Sequence, residues 1–180
     1  MAVGAAGPPR VAGGPEVGDT VPRGGEMSEQ SCEFPLTNAS DPEIDAILAA
    51  AHTVAVVGLS DKPDRDSYRV AAYMQAHGYR IVPVNPAVGS ILGERSVPDL
   101  ASIPADTAID LVDVFRKPEY VPAVVEAAIA RGARAVWMQL GIVHNAAADR
   151  ARAAGLQVVM DRCIKVEHAR WAAAGGTPRR

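Results

Sequence analysis

The residues best suited to chemistry in this sequence lie in a polar stretch, residues 58–67, that follows an apolar run. A helix that begins after such a stretch offers unpaired backbone N–H groups and a partial positive charge, which suit a phosphate. The alternative is an ordinary polar loop in which Asp66 or Ser67 caps the helix. The candidate ligand-binding residues of the stretch are Gly58, Ser60, Lys62 and Arg65.

Two further polar segments also follow runs of β-favouring residues. One begins with Asn85 and Pro86, and the other with Phe115 and Arg116. Arg116 could form paired hydrogen bonds to a phosphate, and the Phe115 ring could cover an apolar or adenine group. Lys117 is interpreted as a solvated charge. An uncharged Asn85 tolerates a phosphorylated ribose better than a carboxylate would, although a turn residue before proline accounts for it equally well.

Gln139 and Gly141 follow another apolar run and are expected to reach the same ligand.

Fewer signals point to covalent catalysis. Cys163 lies beside Asp161 and Arg162, where an activated thiolate is conceivable, but a buried and unreactive thiol is the commoner state. The four histidines lie in separate segments, so neither a Ser-His-Asp set nor a metal cluster can be assembled.

The elements that must position these residues alternate along the chain. Apolar periodicity predicts helices near residues 41–51, 67–77, 121–131, 145–154 and 164–173, with His77 packed on an apolar face. Continuous apolar runs predict strands at 53–57, 80–84, 109–115, 133–138 and 156–160. Pro83 is expected to weaken the pairing of the second strand, and Trp137 is expected in the core. This alternation is typical of an α/β protein with a Rossmann-like, doubly wound parallel sheet of about five strands.

Composition restricts the protein class further. The chain has 180 residues, of which 48% are hydrophobic and 22% charged, and this indicates one globular domain at 35–180 after a disordered Gly- and Pro-rich tail at 1–34. A net charge of −3 does not favour a nucleic-acid partner. No apolar run approaches the roughly 20 residues that cross a membrane. Two cysteines without metal-ligand spacing favour a reducing compartment, so the protein is expected to be soluble and cytoplasmic.

Ligands of such sheets bind beyond the carboxyl ends of the strands, where the strand order reverses. An NAD-binding chain would carry a G-x-G-x-x-G turn after the first strand and an acidic residue after the second. This sequence has a lone Gly58 at the first position and Asn85 at the second. An NAD(P)-dependent enzyme or redox sensor therefore stays an alternative, as does a regulatory interaction protein with a vestigial site.

Taken together, these motifs resemble the small stand-alone CoA-binding proteins related to the CoA-binding domain of the succinyl-CoA synthetase α-subunit. The similarity spans about residues 40–170. The segments that carry it are Val54-Ala55-Val56-Val57-Gly58-Leu59-Ser60, Val82-Pro83-Val84-Asn85-Pro86, Ile91-Leu92-Gly93, Trp137-Met138-Gln139-Leu140-Gly141-Ile142 and Val159-Met160-Asp161-Arg162-Cys163-Ile164-Lys165.

The resemblance implies that coenzyme A, or an acyl-CoA, lies across the carboxyl ends of the first three strands. Gly58, Ser60 and Lys62 would then lie near its phosphates, and Asn85 and Pro86 would line the nucleotide site. The synthetases also need a phosphorylated histidine on a further domain and a nucleotide-binding partner subunit. We therefore expect a nucleotide-binding module for this small molecule rather than an enzyme, with a protein partner or homo-oligomer left open.

Overall fold

The computed structural model describes residues 1–4, 7 and 33–178. Most of the predicted tail at 1–34 lies outside the described residues. The helices are α1 (Asp41–Ala50), α2 (Asp66–Ala76), α3 (Val121–Ala130), α4 (Asn145–Ala153) and α5 (Ile164–Ala173). The strands are β1 (Thr53–Val57), β2 (Arg80–Val84), β3 (Ser90–Ile91), β4 (Glu94–Arg95), β5 (Leu111–Val114), β6 (Ala135–Met138) and β7 (Gln157–Val159). No helix in this part of the chain is both long and apolar enough to cross a membrane.

Five of these strands form one parallel sheet in the order β2-β1-β5-β6-β7. Helices α1, α2 and α5 pack on one face and α3 and α4 on the other. The strands are mainly apolar because both faces are covered, and every residue of β5 and β6 is buried, Asp113 included. The predicted Rossmann-like α/β fold is confirmed. Its strand order reverses between β1 and β5, where this type of sheet binds ligands.

The edge position of β2 explains how Pro83 fits into a paired strand. The Arg80 N–H and the Val84 carbonyl bond toward the β1 side of the strand. Alternate residues bond to opposite edges, so the Pro83 nitrogen points outward, where its missing hydrogen breaks no ladder bond. The Pro83 carbonyl accepts from the Val97 N–H at 3.0 Å. The weakened pairing expected from Pro83 is wrong, because β2 pairs with β1 from end to end.

The opposite edge is covered by the segment 33–40. The Asn38 side chain accepts from the Met160 N–H at 2.9 Å and donates to the Met160 carbonyl at 2.7 Å, so it imitates a strand residue just beyond β7. Asn145, the first residue of α4, donates its backbone N–H to the Glu33 carboxylate at 3.2 Å. The Asn38 contacts pair the backbone groups of Met160 at the end of this edge.

Most element boundaries agree with the sequence-based predictions to within two residues. Three differences stand out. The third predicted strand, 109–115, shortens to β5, and the hairpin of β3 and β4 escaped detection because its strands have two residues each. Helix α2 begins at Asp66 after Arg65, so neither Asp66 nor Ser67 is its N-cap. Ser67 is buried instead, and its hydroxyl accepts from the Ser60 N–H at 3.1 Å.

Candidate ligand-binding site

A crevice of about 400 Å³ opens where the carboxyl ends of β1, β2 and β5 meet. These ends are neighbours only because the strand order reverses between β1 and β5. Three separate loops therefore contribute to one concave surface. The lining residues are Gly58, Asn85, Pro86, Phe115, Arg116, Lys117 and Tyr120.

Gly58 lies at the centre of this surface in a conformation that other residues rarely adopt. Its φ is +85°, and a Cβ at this position would lie 2.9 Å from both Arg116 Cδ and the Phe115 carbonyl oxygen. The Gly58 N–H donates to the Val84 carbonyl at 3.0 Å, which ties β1 to β2 at the edge of the crevice. Glycine is thus required both by the turn and by the close approach of the β5 loop.

Asn85 forms hydrogen bonds within the protein through both its backbone and its side chain. Its backbone N–H donates to Val97 at 2.8 Å and its carbonyl accepts from the Ser96 hydroxyl at 3.1 Å. Its side-chain Nδ2 donates to the Leu59 carbonyl at 2.8 Å, and Oδ1 accepts from the Ala87 N–H at 2.9 Å. Asn85 therefore fixes the separation of the β1 and β2 loops, and its side-chain amide is engaged before any ligand arrives.

The charge of the crevice comes from Arg116 and Lys117, which are both exposed. Neither forms an ion pair with a carboxylate of the described residues. The Arg116 guanidinium instead lies over the Tyr120 ring, with Cζ 4.6 Å from the ring centroid. Phe115 is half-buried beside them, and its N–H donates to Val57 at 2.9 Å.

The remaining candidates on the β1 loop lie next to the crevice and do not line it. The Ser60 hydroxyl accepts from the Lys62 N–H at 3.2 Å, which makes a tight turn. Lys62 and Arg65 are exposed and, like Arg116, form no ion pair within the described part of the chain. The start of α2 carries no side-chain cap, so its first N–H groups are free of that competitor.

Gln139 and Gly141 do not line the crevice either. Gln139 is only 4% exposed, and its Nε2 donates to Asp113 Oδ1 at 2.7 Å, while its Oε1 accepts from the Ile164 N–H at 3.4 Å. The Gly141 N–H donates to the Asp161 carboxylate at 2.7 Å. The physical reason is the strand order, because β6 lies on the far side of β5 from the crevice.

Asp113, in β5, is an unexpected buried carboxyl. It is 1% exposed, and burial raises its pKa to about 7 against the opposing effect of the hydrogen bond from Gln139. No cation of the described residues pairs with it. Its proton occupancy therefore depends on pH near neutrality, although it lies within a fully buried strand.

Other sequence expectations have mixed outcomes. Trp137 is fully buried, as predicted, and its Nε1 donates to the Arg162 carbonyl at 2.6 Å. His168 is buried, with 1% exposed. His77 lies at the end of α2 and is exposed, yet its ring packs against those of Tyr73 and His168, with centroids 4.0 and 5.0 Å away. Cys163 is a half-buried free thiol preceding α5. No group of three or more metal-ligating side chains occurs within the residues that the structure describes.

Sequence reasoning missed Tyr120 altogether. It follows Arg116 by four residues, but Arg116 and Lys117 precede the short turn Pro118–Tyr120, so the side-chain spacing of an α-helix does not apply to this pair. The turn brings the Tyr120 ring against Arg116, and no sequence pattern signalled that contact.

Comparisons with known proteins agree with this architecture. The uncharacterized protein YneT of Bacillus subtilis (strain 168) is 44% identical over 134 residues, which cover 74% of this chain and 98% of YneT. A hypothetical protein from Pyrococcus horikoshii OT3 superposes with a TM-score of 0.72 at 38% identity, over 78% of this chain and 97% of that one. The dinucleotide forming acetyl-coenzyme A synthetase 1 of Ca. Korarchaeum cryptofilum shares the fold, with a TM-score of 0.56 at 18% identity. That match covers 63% of this chain and 27% of the synthetase.

A family model described as CoA binding domain matches residues 52–169. This range begins just before β1 and ends within α5, so it includes the whole parallel sheet and all three loops of the crevice. The match agrees with the resemblance found in the sequence motifs. The chain belongs to the CoA-binding domain family.

Proposed function

We propose that this chain binds coenzyme A, or an acyl-CoA, in the crevice at the carboxyl ends of β1, β2 and β5. The observation that carries the proposal is the pair of exposed cations, Arg116 and Lys117, on the wall of a crevice at the reversal of strand order, with no carboxylate of the described residues paired to them. Ligands of doubly wound sheets bind at this point. The family of the chain supplies the ligand class.

Each group of lining residues suits a different part of such a ligand. Arg116 and Lys117 are placed to bind phosphate oxygens, and Gly58 lets the backbone approach them closely. The ring of Phe115 offers apolar surface to adenine or to the pantetheine arm. Asn85 and Pro86 shape the nucleotide side of the crevice. Gln139 and Gly141, which lie outside the crevice, shape the loop after β6.

The β1 loop extends the positive surface toward the start of α2. Ser60, Lys62 and Arg65 lie there, beside uncapped helical N–H groups. A ligand with several phosphates could span from Arg116 to this second group of donors. We propose binding as the role of this chain, because the crevice presents cations and aromatic surface, which suit the capture of phosphate and adenine.

Calorimetric titration with CoA, dephospho-CoA and NAD tests this function. We expect CoA to bind most tightly, and we expect Arg116→Ala to weaken CoA binding by about 1.5–3 kcal/mol because a charge-assisted hydrogen bond is lost. Lys165→Ala is the matched control, since it removes an exposed cation from α5 without touching the crevice. Absence of CoA binding, or CoA binding no tighter than NAD binding, would contradict the proposal.

A further inference from the structure

The Tyr120 ring contacts the Arg116 guanidinium and occupies none of the guanidinium's hydrogen-bond donors. Tyr120 ends the turn Pro118–Tyr120, and its backbone N–H donates to the Lys117 carbonyl at 3.0 Å. This bond fixes the Tyr120 backbone relative to β5. Its ring is 46% exposed. The guanidinium carbon of Arg116 lies 4.6 Å from the centroid of this ring, within the range of a cation–π contact.

Stacking and ion pairing have different consequences for an arginine. A carboxylate partner occupies the N–H edge of the guanidinium, which is the edge that a phosphate needs. A ring contacts the flat face instead, so the N–H groups in the plane stay available. No carboxylate of the described residues is paired with Arg116. The stacked arrangement therefore orders the side chain and leaves its donors unused.

The other side of the Arg116 side chain lies against Gly58. A Cβ on Gly58 would approach Arg116 Cδ to 2.9 Å, so the arginine stem occupies space that only glycine provides. The stem is thus placed by Gly58 and the guanidinium by Tyr120, and both contacts lie within the same crevice.

We propose that Tyr120 is a positioning residue that preorganises Arg116 to bind a phosphate group of the ligand. The inference rests on the proposed function, because the phosphate is that of CoA. It assigns Tyr120 an effect on affinity that acts through Arg116 and not through contact with the ligand. Preorganisation of this kind raises affinity by reducing the conformational freedom lost on binding.

A double-mutant cycle measured by calorimetry with CoA tests the assignment. Tyr120→Ala is expected to weaken binding about two- to fivefold, the range of an exposed cation–π contact. Tyr120→Phe keeps the ring and is expected to bind like the parent. Arg116→Ala is expected to weaken binding about tenfold or more, and the double variant to bind no more weakly than Arg116→Ala alone.

The outcomes separate the inference from the function on which it rests. If the parent does not bind CoA, the proposed function and the inference both fall. If the parent binds and Tyr120→Ala has no effect, only the inference is overturned. If Tyr120→Ala weakens binding further in the Arg116→Ala background, Tyr120 contacts the ligand itself and the positioning role is wrong. Because Tyr120 is exposed, a melting temperature unchanged in Tyr120→Ala would show that the fold is intact.

Discussion

The arginines on two surfaces of this protein have different partners. On one surface they pair with carboxylates, and in the crevice no carboxylate of the described residues is paired with Arg116. Between α1 and α5, Arg162 bonds to Asp41 at 3.0 Å and to Glu167 at 3.1 Å, and Arg170 bonds to Glu167 at 3.0 Å. The hydrogen bond that Arg162 donates to Glu167 raises the pKa of the Arg162 guanidinium. In the crevice, Arg116 has an aromatic ring as its partner and no carboxylate of the described residues.

This difference indicates what each set of charges does. The ion pairs of these arginines link α1 to α5 and the residues just before it, so they contribute to the stability of the fold. Unpaired cations in a crevice contribute little to the fold, since nothing in the described residues neutralises them, and they raise the local potential for an anion. Removing charge from one surface should therefore affect stability, and removing it from the other should affect binding.

The largest loss of stability among the next two changes is expected from Gly58→Ala, which disrupts the crevice. The left-handed φ and the contacts with Arg116 and Phe115 together predict a loss of about 2–4 kcal/mol in the free energy of unfolding. Gly78→Ala is the control, because Gly78 has a similar φ of +92° but no atom near its Cβ position. It should lose about 1–2 kcal/mol. Urea unfolding measures both, and equal losses would refute the steric argument.

A smaller loss of stability is expected from Glu167→Gln, which disrupts the ion pairs of Arg162 and Arg170. Glu167 is 8% exposed and accepts from both arginines, so removing its charge should lower the free energy of unfolding by about 1–3 kcal/mol. Glu126→Gln breaks an exposed pair with Arg150 and should cost less than about 0.5 kcal/mol. CoA affinity should stay unchanged in both variants. A Glu167 variant as stable as the Glu126 variant would remove the distinction between the two surfaces.

A third change, Asp113→Asn, sharpens the comparison because Asp113 is an ionisable carboxyl that is buried and has no cation partner among the described residues. Its folded pKa of about 7 exceeds the unfolded value of about 3.9. The fold therefore loses stability as pH rises through this range, since the unfolded chain releases the proton first. The variant keeps an acceptor for Gln139 and should exceed the parent by up to about 4 kcal/mol at pH 8, at about 1.4 kcal/mol for each unit of pKa difference.

Unfolding at two pH values completes that test. At pH 4 the parent is protonated in the folded state, so the variant and the parent should agree within about 0.5 kcal/mol. Asp149→Asn, at an exposed carboxylate on α4, should show no such difference between pH 4 and pH 8. A parent whose stability does not fall between these pH values, relative to Asp113→Asn, would contradict the raised pKa.

Local patterns predicted the elements well because local forces decide them. The apolar run at 53–57, the residues 80–84 and the helix at 164–173 appear in the structure with those bounds. Two-sided burial explains why continuous apolar runs predicted parallel strands. The same patterns could not reveal that Gln139 turns inward, since its partners Asp113 and Ile164 are 26 and 25 residues away in the chain.

The sequence by itself determined the Rossmann-like fold, the family, and the three loops that carry glycine, asparagine and arginine at strand ends. Only the tertiary structure decided which charges are neutralised. Asp41 and Arg162 are 121 positions apart, and their pairing depends on how α5 packs against α1. Arg116 has no carboxylate partner among the described residues, because the distant Gly58 and the nearby Tyr120, four positions along the chain, lie at its side.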